Sequence, residues 1–295
     1  MRKTNVIIFG HTGYVGKNLF NELSLKKFQN KIKIYGISTK QLDLTKNTSS
    51  KFLKKKIGHN SIIVICSAIK SNYGSSLHLM QKNVDMVKNI IKAIEKKKLK
   101  KIIFVSSKAV YGVHKKFKKP IDEKSPVDPD TYYSLSKVIS EKMLKLGLNK
   151  HNVKKLVIFR PSIIYGANED LIAGSPSGFF NLIFKDDTVQ IWGDGSEIRN
   201  FLFVKDFTRI LIKFIFNNKF GDFNVGGFNS SYINLIKVIS KFLNKKAVIF
   251  RKKRTTPKIN KIFLKTKILR ADPSLKFTSL AETLKDLKSA RDKNY

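Results

Sequence analysis

The chain holds one cysteine, Cys66, in 295 residues, so no intrachain disulfide can form and a reducing cytoplasm is expected. It has no apolar run of the roughly 18 residues that a membrane-spanning helix needs, so no membrane span is expected. Met1-Arg2-Lys3-Thr4 leads straight into the apolar run Val6–Phe9, too short for the core of a secretory signal, and no small-residue cleavage site follows. Acidic residues are scarce, 21 against 59 basic ones, for a formal net charge of +38. Such an excess attracts polyanions and phosphorylated substrates. Arginine is scarce too: only eight of the basic residues are arginine, the side chain suited to bidentate phosphate and base recognition. The lysines are spread over nearly every expected helix. Isoleucine and asparagine are abundant with them, so a compositional drift with solvated lysine faces explains the charge, and no specific nucleic-acid partner is expected. His11, His59, His78, His114 and His151 show no metal-ligand spacing, so no metal is expected. No Gly-x-Ser-x-Gly elbow supports a serine hydrolase. The single tryptophan, Trp192, reads as core or domain packing.

What is present alternates. Strand-like apolar runs at Val6–Phe9, Ile32–Ile37, Ile62–Ile65, Ile102–Val105 and Leu156–Phe159 are separated by helical patterns at Val15–Leu25, Phe52–Ile57, Leu77–Lys97 and Tyr132–Leu148. Continuous apolar strands between helices imply a parallel sheet covered on both faces. Beyond Arg160 the rhythm changes. Tyr165 to Gly178 reads as an active-site loop, rich in Gly, Asn, Ser and Pro. Val189–Trp192 reads as a short strand before the turn Gly193-Asp194-Gly195, Phe207–Phe216 as a helix, Asp222–Val225 as a strand and Ile233–Leu243 as a helix. Lys252 to Lys267 reads as a basic surface excursion.

Two clusters carry chemistry. Gly10-His11-Thr12-Gly13-Tyr14-Val15-Gly16 ends the first strand and opens the first helix. Glycines there allow a sharp turn and close approach to a pyrophosphate, and the helix N-terminus offers N–H groups and a positive dipole end. Tyr133-Ser134-Leu135-Ser136-Lys137 places a phenol and an ammonium four residues apart, on one helix face. A neighbouring ammonium favours phenolate and is expected to lower the tyrosine pKa. Tyr133 could then exchange a proton with a hydroxyl or ketone while hydride moves to or from nicotinamide. In so lysine-rich a chain, Tyr-x-x-x-Lys alone is weak, and a half-buried Tyr beside a solvated Lys would give the same pattern.

It stands with Phe104-Val105-Ser106-Ser107-Lys108-Ala109-Val110-Tyr111-Gly112 and Arg160-Pro161-Ser162-Ile163-Ile164-Tyr165-Gly166. Gly193-Asp194-Gly195…Arg199-Asn200-Phe201, Phe223-Asn224-Val225-Gly226 and Ala271-Asp272-Pro273-Ser274 follow in order. Taken together the chain resembles the extended short-chain dehydrogenase/reductase family, of the NAD(P)-dependent nucleotide-sugar epimerase/reductase type. The resemblance implies a Rossmann-type doubly wound parallel sheet, α/β in class, with a small discontinuous α/β substrate domain. It puts the dinucleotide-binding domain at 1–165 plus about 200–228, and the substrate domain at about 166–199 plus 229–295. It implies that Tyr133, Lys137 and Ser107 are catalytic, with Ser106 a structural strand-end residue. Cofactor contacts fall to Gly10, Thr12, Gly13, Tyr14, Val15, Gly16, Lys40, Asp43, Leu44, Ser67, Ala68 and Pro161, and substrate contacts to Asn83, Ser107 and Arg199, the last gripping a diphosphate. Glu141 matches a glutamate that often follows the Tyr-Lys pair. NAD or NADP is implied. The second strand ends in Ser38-Thr39-Lys40 with no acid, which tilts the choice toward NADP. A homodimer through helices including the Tyr133 helix is implied as well.

Departures from the family pattern leave the substrate open. Lys108-Ala109 stand where dehydratases carry Asp-Glu, which disfavours 4,6-dehydration. Ile163 replaces a substrate-contacting Asn, Cys66-Ser67-Ala68 a His-x-Ala-Ala pattern, and Asn200 an aspartate. The expectation is an epimerase or 4-keto reductase of a nucleotide-activated sugar. A non-catalytic dinucleotide sensor or nucleic-acid binder on the same fold, and an oxidoreductase of a non-nucleotide substrate, remain as alternatives. Arg199 speaks against the last of these.

Overall fold

The computed structural model describes residues 3–70, 74, 76–167, 174–254 and 258–292. In chain order the elements are β1 (Thr4–Phe9), α1 (Tyr14–Leu23), α2 (Lys26–Gln29), β2 (Ile32–Ile37), α3 (Thr48–Lys56), β3 (Ile62–Ile65), α4 (Leu77–Ile94), β4 (Lys101–Val105), α5 (Tyr132–Gly147), α6 (Lys150–Val153) and β5 (Leu156–Pro161). They continue with β6 (Ile163–Tyr165), α7 (Pro176–Phe184), β7 (Val189–Trp192), β8 (Ile198–Phe203), α8 (Val204–Phe216), β9 (Gly221–Val225), β10 (Phe228–Ser231), α9 (Tyr232–Leu243), β11 (Ile249–Lys252), α10 (Thr266–Ala271) and α11 (Leu280–Asp292). The chain divides into two compact units: Met1–Val113, Ser125–Arg160 and Thr208–Phe223, and His114–Lys124, Pro161–Phe207 and Asn224–Tyr295.

The first unit is built on a six-stranded sheet ordered β2-β1-β3-β4-β5-β9, with β2 through β5 paired in parallel. β3, β4 and β5 are buried along their whole length, as their unbroken apolar runs require. The charged exceptions in those strands are Arg160 in β5 and Lys101, 2% exposed at the start of β4. The Lys101 ammonium donates to the carbonyls of Phe214 and Asn217, the groups a helix end leaves without partners, and so caps α8. One face of the sheet carries the core cluster of Ile7, Phe9, Ile63, Ile65, Ile90, Ile94 and Phe104 with the inner sides of α3 and α4.

The second unit has a three-stranded sheet, β10-β8-β6, and a two-stranded parallel sheet, β11-β7. Phe179, Phe180, Ile191, Phe201, Leu235 and Leu284 fill its core. Tyr165 is fully buried there and donates to Thr283 at 2.9 Å.

Several elements differ from the sequence expectation. α3 begins at Thr48, not Phe52, because Ser49 and Ser50 are buried and extend the helix backward. The expected loop 165–178 ends earlier. Ser175 accepts from Gly178 N at 3.0 Å and Pro176 occupies the first helical turn, so Gly178 lies inside α7. Residues 168–173 of that stretch lie outside the described residues. The basic excursion begins at the last residue of strand β11 and ends inside helix α10, so it runs between two regular elements. Trp192, expected in packing, is 53% exposed, because β7 buries its Val189–Ile191 face and turns Gln190 and Trp192 outward.

Candidate active site

In the first unit the sheet's order reverses between β1 and β3, the place where parallel α/β sheets receive ligands. β1 is followed there by Gly10, at φ +78°, a backbone state that disfavours any residue with a Cβ. A Cβ at Gly10 would stand 2.8 Å from the Ser67 backbone, and one at Gly16 would stand 2.1 Å from the Gly10 carbonyl. Gly13 precedes α1 as a cap residue without a side chain, leaving that helix's first amides uncovered by a capping group. Thr12 and Gly13 are exposed, Tyr14 and Val15 half-buried. The Ser67 hydroxyl is buried without a hydrogen-bond partner among the described residues. An uncapped helix start and an orphaned hydroxyl at the sheet reversal fit the pyrophosphate of a dinucleotide. Gly16→Ala is expected to abolish dinucleotide binding, read by calorimetry, because the backbone atoms of Gly10 and His11 that it would strike cannot move aside. Binding within twofold of the parent would overturn that reading of the loop.

Lys40 is exposed just beyond β2, where Ser38 donates through its backbone N–H and its hydroxyl to Gln41, each at 2.8 Å. Asp43 accepts from the Thr45 amide at 2.9 Å and hydroxyl at 2.7 Å, and the Thr45 bonds hold its carboxyl below the usual range. Leu44 is buried in the core cluster, and its carbonyl accepts from the buried Asn89 amide at 2.9 Å. Ala68 is half-buried beside Ser67, and Pro161 ends β5. Asn83, expected against substrate, is 6% exposed. Its amide accepts from Ile69 N at 2.7 Å and donates to Ile69 O at 3.0 Å, which fixes the segment after β3.

Tyr133 owes its place to the start of α5. Thr131 accepts from the Ser134 amide at 3.1 Å while the Ser134 hydroxyl accepts from the Thr131 amide at 2.9 Å, a reciprocal cap that starts the helix at Tyr132. Ser107, beyond β4, accepts from Ala109 N at 3.1 Å and lies near enough to the Tyr133 phenol to favour its anion. Lys137, one turn on, is 4% exposed, donates to Val105 O at 2.9 Å and stands 5.8 Å from the Tyr133 ring. The electrostatics run against the sequence expectation. Burial pushes the Tyr133 phenol up to about 12, and Ser107 only pulls against that rise. Burial also pushes Lys137 down to about 8, opposed by the thiol of Cys66 and the carboxylate of Glu141. The low-pKa phenol inferred from residue spacing is therefore absent from the protein's own environment, because desolvation outweighs a charge at that distance.

Lys137 has a consequence for stability. The folded chain releases its proton near pH 8, the unfolded chain near 10.5, so between these values the unfolded state binds more protons and stability rises with pH. Above pH 9 Cys66, which burial pushes up to about 12, acts in the opposite sense. Unfolding free energy from urea titration is expected to rise between about pH 8 and 9, and to rise less in Lys137→Met. Lys101, also lowered to about 8 by burial, sustains the remainder. An identical slope in the variant would mean that Lys137 is not desolvated.

One part of the site is not visible in the sequence. Glu141, 4% exposed, accepts from Arg160 Nε at 3.0 Å and from its Nη2 at 2.6 Å. The Ser106 hydroxyl donates to the same carboxylate at 2.5 Å, and Arg160 donates to the Tyr111 hydroxyl at 2.8 Å. Sequence offers these residues separately, as strand-end serine, motif arginine and following glutamate. Only the fold joins them across 19 residues and two strands. In the second unit Arg199 pairs with Glu197 at 2.9 Å and donates to Ile259 O. Arg254, from the basic excursion, reaches the same Glu197 oxygen at 3.4 Å and donates to Trp192 O at 3.1 Å.

The sheet order and the helix carrying Tyr133 and Lys137 make this a Rossmann-type protein of the extended short-chain dehydrogenase/reductase class. The chain belongs to the NAD dependent epimerase/dehydratase family, whose sequence model matches residues 6–226. It is 31% identical over 170 residues to the N-acetyl-alpha-D-glucosaminyl-diphospho-ditrans,octacis-undecaprenol 4-epimerase of Escherichia coli O157:H7, covering 55% of this chain and 49% of that protein. Over 275 residues, 84% of each chain, it is 28% identical to the dTDP-4-dehydro-6-deoxyglucose reductase of Escherichia coli. The fold matches that of the UDP-glucose 4-epimerase of Thermus thermophilus, solved in complex with NAD, at a TM-score of 0.82 and 17% identity, over 98% of this chain and 99% of the other.

Proposed function

We propose that the chain is an NAD(P)-dependent epimerase or 4-keto reductase of a nucleotide-activated sugar, with Tyr133 as acid/base. The observation that carries this reading is the buried Lys137 ammonium, which donates to Val105 O at 2.9 Å and stands 5.8 Å from the Tyr133 ring one helical turn back. Ser107 would orient the reacting sugar oxygen, and Tyr133 would take or give the proton on that oxygen. Lys137 would supply the positive charge that makes proton release from a phenol near 12 accessible. The nicotinamide supplies a site for hydride leaving or reaching the sugar carbon. The loop Gly10–Gly16, with Asp43, Leu44, Ser67, Ala68 and Pro161, would hold the dinucleotide. NAD is the cofactor the family description gives; the exposed Lys40 would also accept a 2′-phosphate. Arg199 would grip the substrate diphosphate, with residues 166–199 and 229–295 forming the substrate domain. Asn83 would support the Ile69 segment beside substrate.

A second reading of the substrate is favoured by the 31% identity to an enzyme of a polyprenol-linked sugar diphosphate. Both substrates present a sugar on a diphosphate. The test incubates the protein and NAD or NADPH with a panel of nucleotide sugars, their 4-keto forms and a polyprenyl-diphosphate sugar, read by mass spectrometry. Turnover of one member supports the reading. No turnover, together with steeply salt-dependent duplex binding, would favour a non-catalytic role.

A cytoplasmic homodimer is part of the proposal. α4 and α5 form an apolar groove lined by Ile91, Val138, Met143 and Leu146, and Leu146 is 84% exposed. Leu146→Asp is expected to shift sedimentation from dimer to monomer. A parent that sediments as a monomer would remove this surface from the proposal.

A further inference from the structure

β7 and β11 pair in parallel with Gln190 opposite Phe250 and Trp192 opposite Lys252, so these four side chains share one face of the small sheet. Its other face packs Val189 and Ile191 into the core of the second unit. On the outward face Trp192 is 53% exposed, Phe250 53% and the preceding Val248 58%. Large apolar side chains rarely stand so open together unless something covers them. The surrounding sequence is Lys245-Lys246-Ala247-Val248-Ile249-Phe250-Arg251-Lys252-Lys253-Arg254, an apolar centre between basic ends with no acid in ten residues. Lys252 stands 5.6 Å from the Trp192 ring, while Lys246 and Lys253 are exposed.

We propose that this β7–β11 face docks the protein on an anionic lipid bilayer. Rings with aliphatic neighbours sit at the boundary between headgroups and acyl chains, and lysines beside them meet anionic headgroups. Charge complementarity selects this occupant. The face carries basic residues on both flanks of its apolar centre and no acid between Lys245 and Arg254. Nucleic acid fits less well, since a stacking platform has no use for Val248, and the exposed arginine of this segment, Arg251, lies on the opposite strand face from Trp192 and Phe250 and donates to Asp194 O. The proposal does not depend on the role of Tyr133. It bears on substrate class, because Arg254 joins this face, through Trp192 O, to the Glu197–Arg199 cluster. A sugar diphosphate carried on a membrane lipid would be met at that surface.

Trp192 is the only tryptophan, so its fluorescence reports this face alone. The experiment mixes the full-length protein with phosphatidylcholine vesicles with and without phosphatidylglycerol, then with brominated acyl chains. The expected result is binding to the phosphatidylglycerol vesicles only, weakened by salt, with a blue shift and quenching by bromine. Phe250→Ser together with Val248→Ser is expected to weaken partitioning about tenfold, and Lys246→Glu with Lys253→Glu to abolish it, the thermal melt of each unchanged. Vesicle binding without a Trp192 response would overturn the proposal, because another face would be in contact. So would a response to duplex RNA or to uridine diphosphate that lipid does not produce. Since no turnover is measured, failure here leaves the assignment of Tyr133 standing, and failure of that assignment leaves vesicle binding unchanged.

Discussion

Tyr133→Phe is expected to lower kcat by about a thousandfold or more while leaving dinucleotide affinity within about twofold. The ring, its packing and the helix start set by Thr131 all survive the change; only the phenol hydroxyl is lost. Under the proposed mechanism that hydroxyl is the group that exchanges a proton with the sugar oxygen, and Ser107 has no route to replace it. The phenol at about 12 makes the expectation sharper. A group so far from neutrality serves as a base at pH 7 only when a positive charge stabilises its anion, so Lys137→Met should reduce kcat comparably at neutral pH. The two losses should not add, since either change removes the same phenolate. Stopped-flow measurement of nicotinamide absorbance during a single turnover reads the step directly. A Phe variant with parental rates would end the assignment of Tyr133, whatever the fate of the fold.

The sheet was legible because its strands are buried on both faces: Ile62–Ile65 and Leu156–Phe159 are apolar without interruption, and nothing else of that length competes. Spacing also located Tyr133 and Lys137, since the period of a helix is fixed. Other features were hidden. The direction of the Tyr133 shift depends on desolvation, a property of the folded surroundings that a four-residue spacing does not carry. Lys101 looked like one more surface lysine, and only the end of α8, over a hundred residues later, reveals why it is buried. β11 was obscured by its own charge, because strand runs are sought in apolar sequence and this one is half arginine and lysine. Trp192 was misread for a related reason: a lone tryptophan suggests a core, whereas the alternation of β7 turns it outward.

Arg160→Met should destabilise the first unit by about 3–5 kcal/mol. Arg160 and Glu141 are both about 4% exposed, and two nitrogens meet two oxygens, the geometry in which a buried pair holds its charges. Removing the guanidinium leaves Glu141 as a carboxylate inside the protein with only the Ser106 hydroxyl on it, and also takes the donor from Tyr111. The melting temperature should fall on the order of 10 °C. Replacing both partners, as Glu141→Leu with Arg160→Met, should recover much of the loss, because no unpaired charge remains. The double variant has a second readout. Glu141 is one turn beyond Lys137 and helps hold that ammonium up, so without it Lys137 should release its proton at lower pH. The rise of stability with pH should then begin below pH 8, and the alkaline limit of turnover should move down with it. A recovered melt with an unmoved pH profile would make the pair purely structural. A recovered melt with a lowered profile would make Glu141 a positioning residue, one that keeps the charge Tyr133 depends on in place through neutral pH.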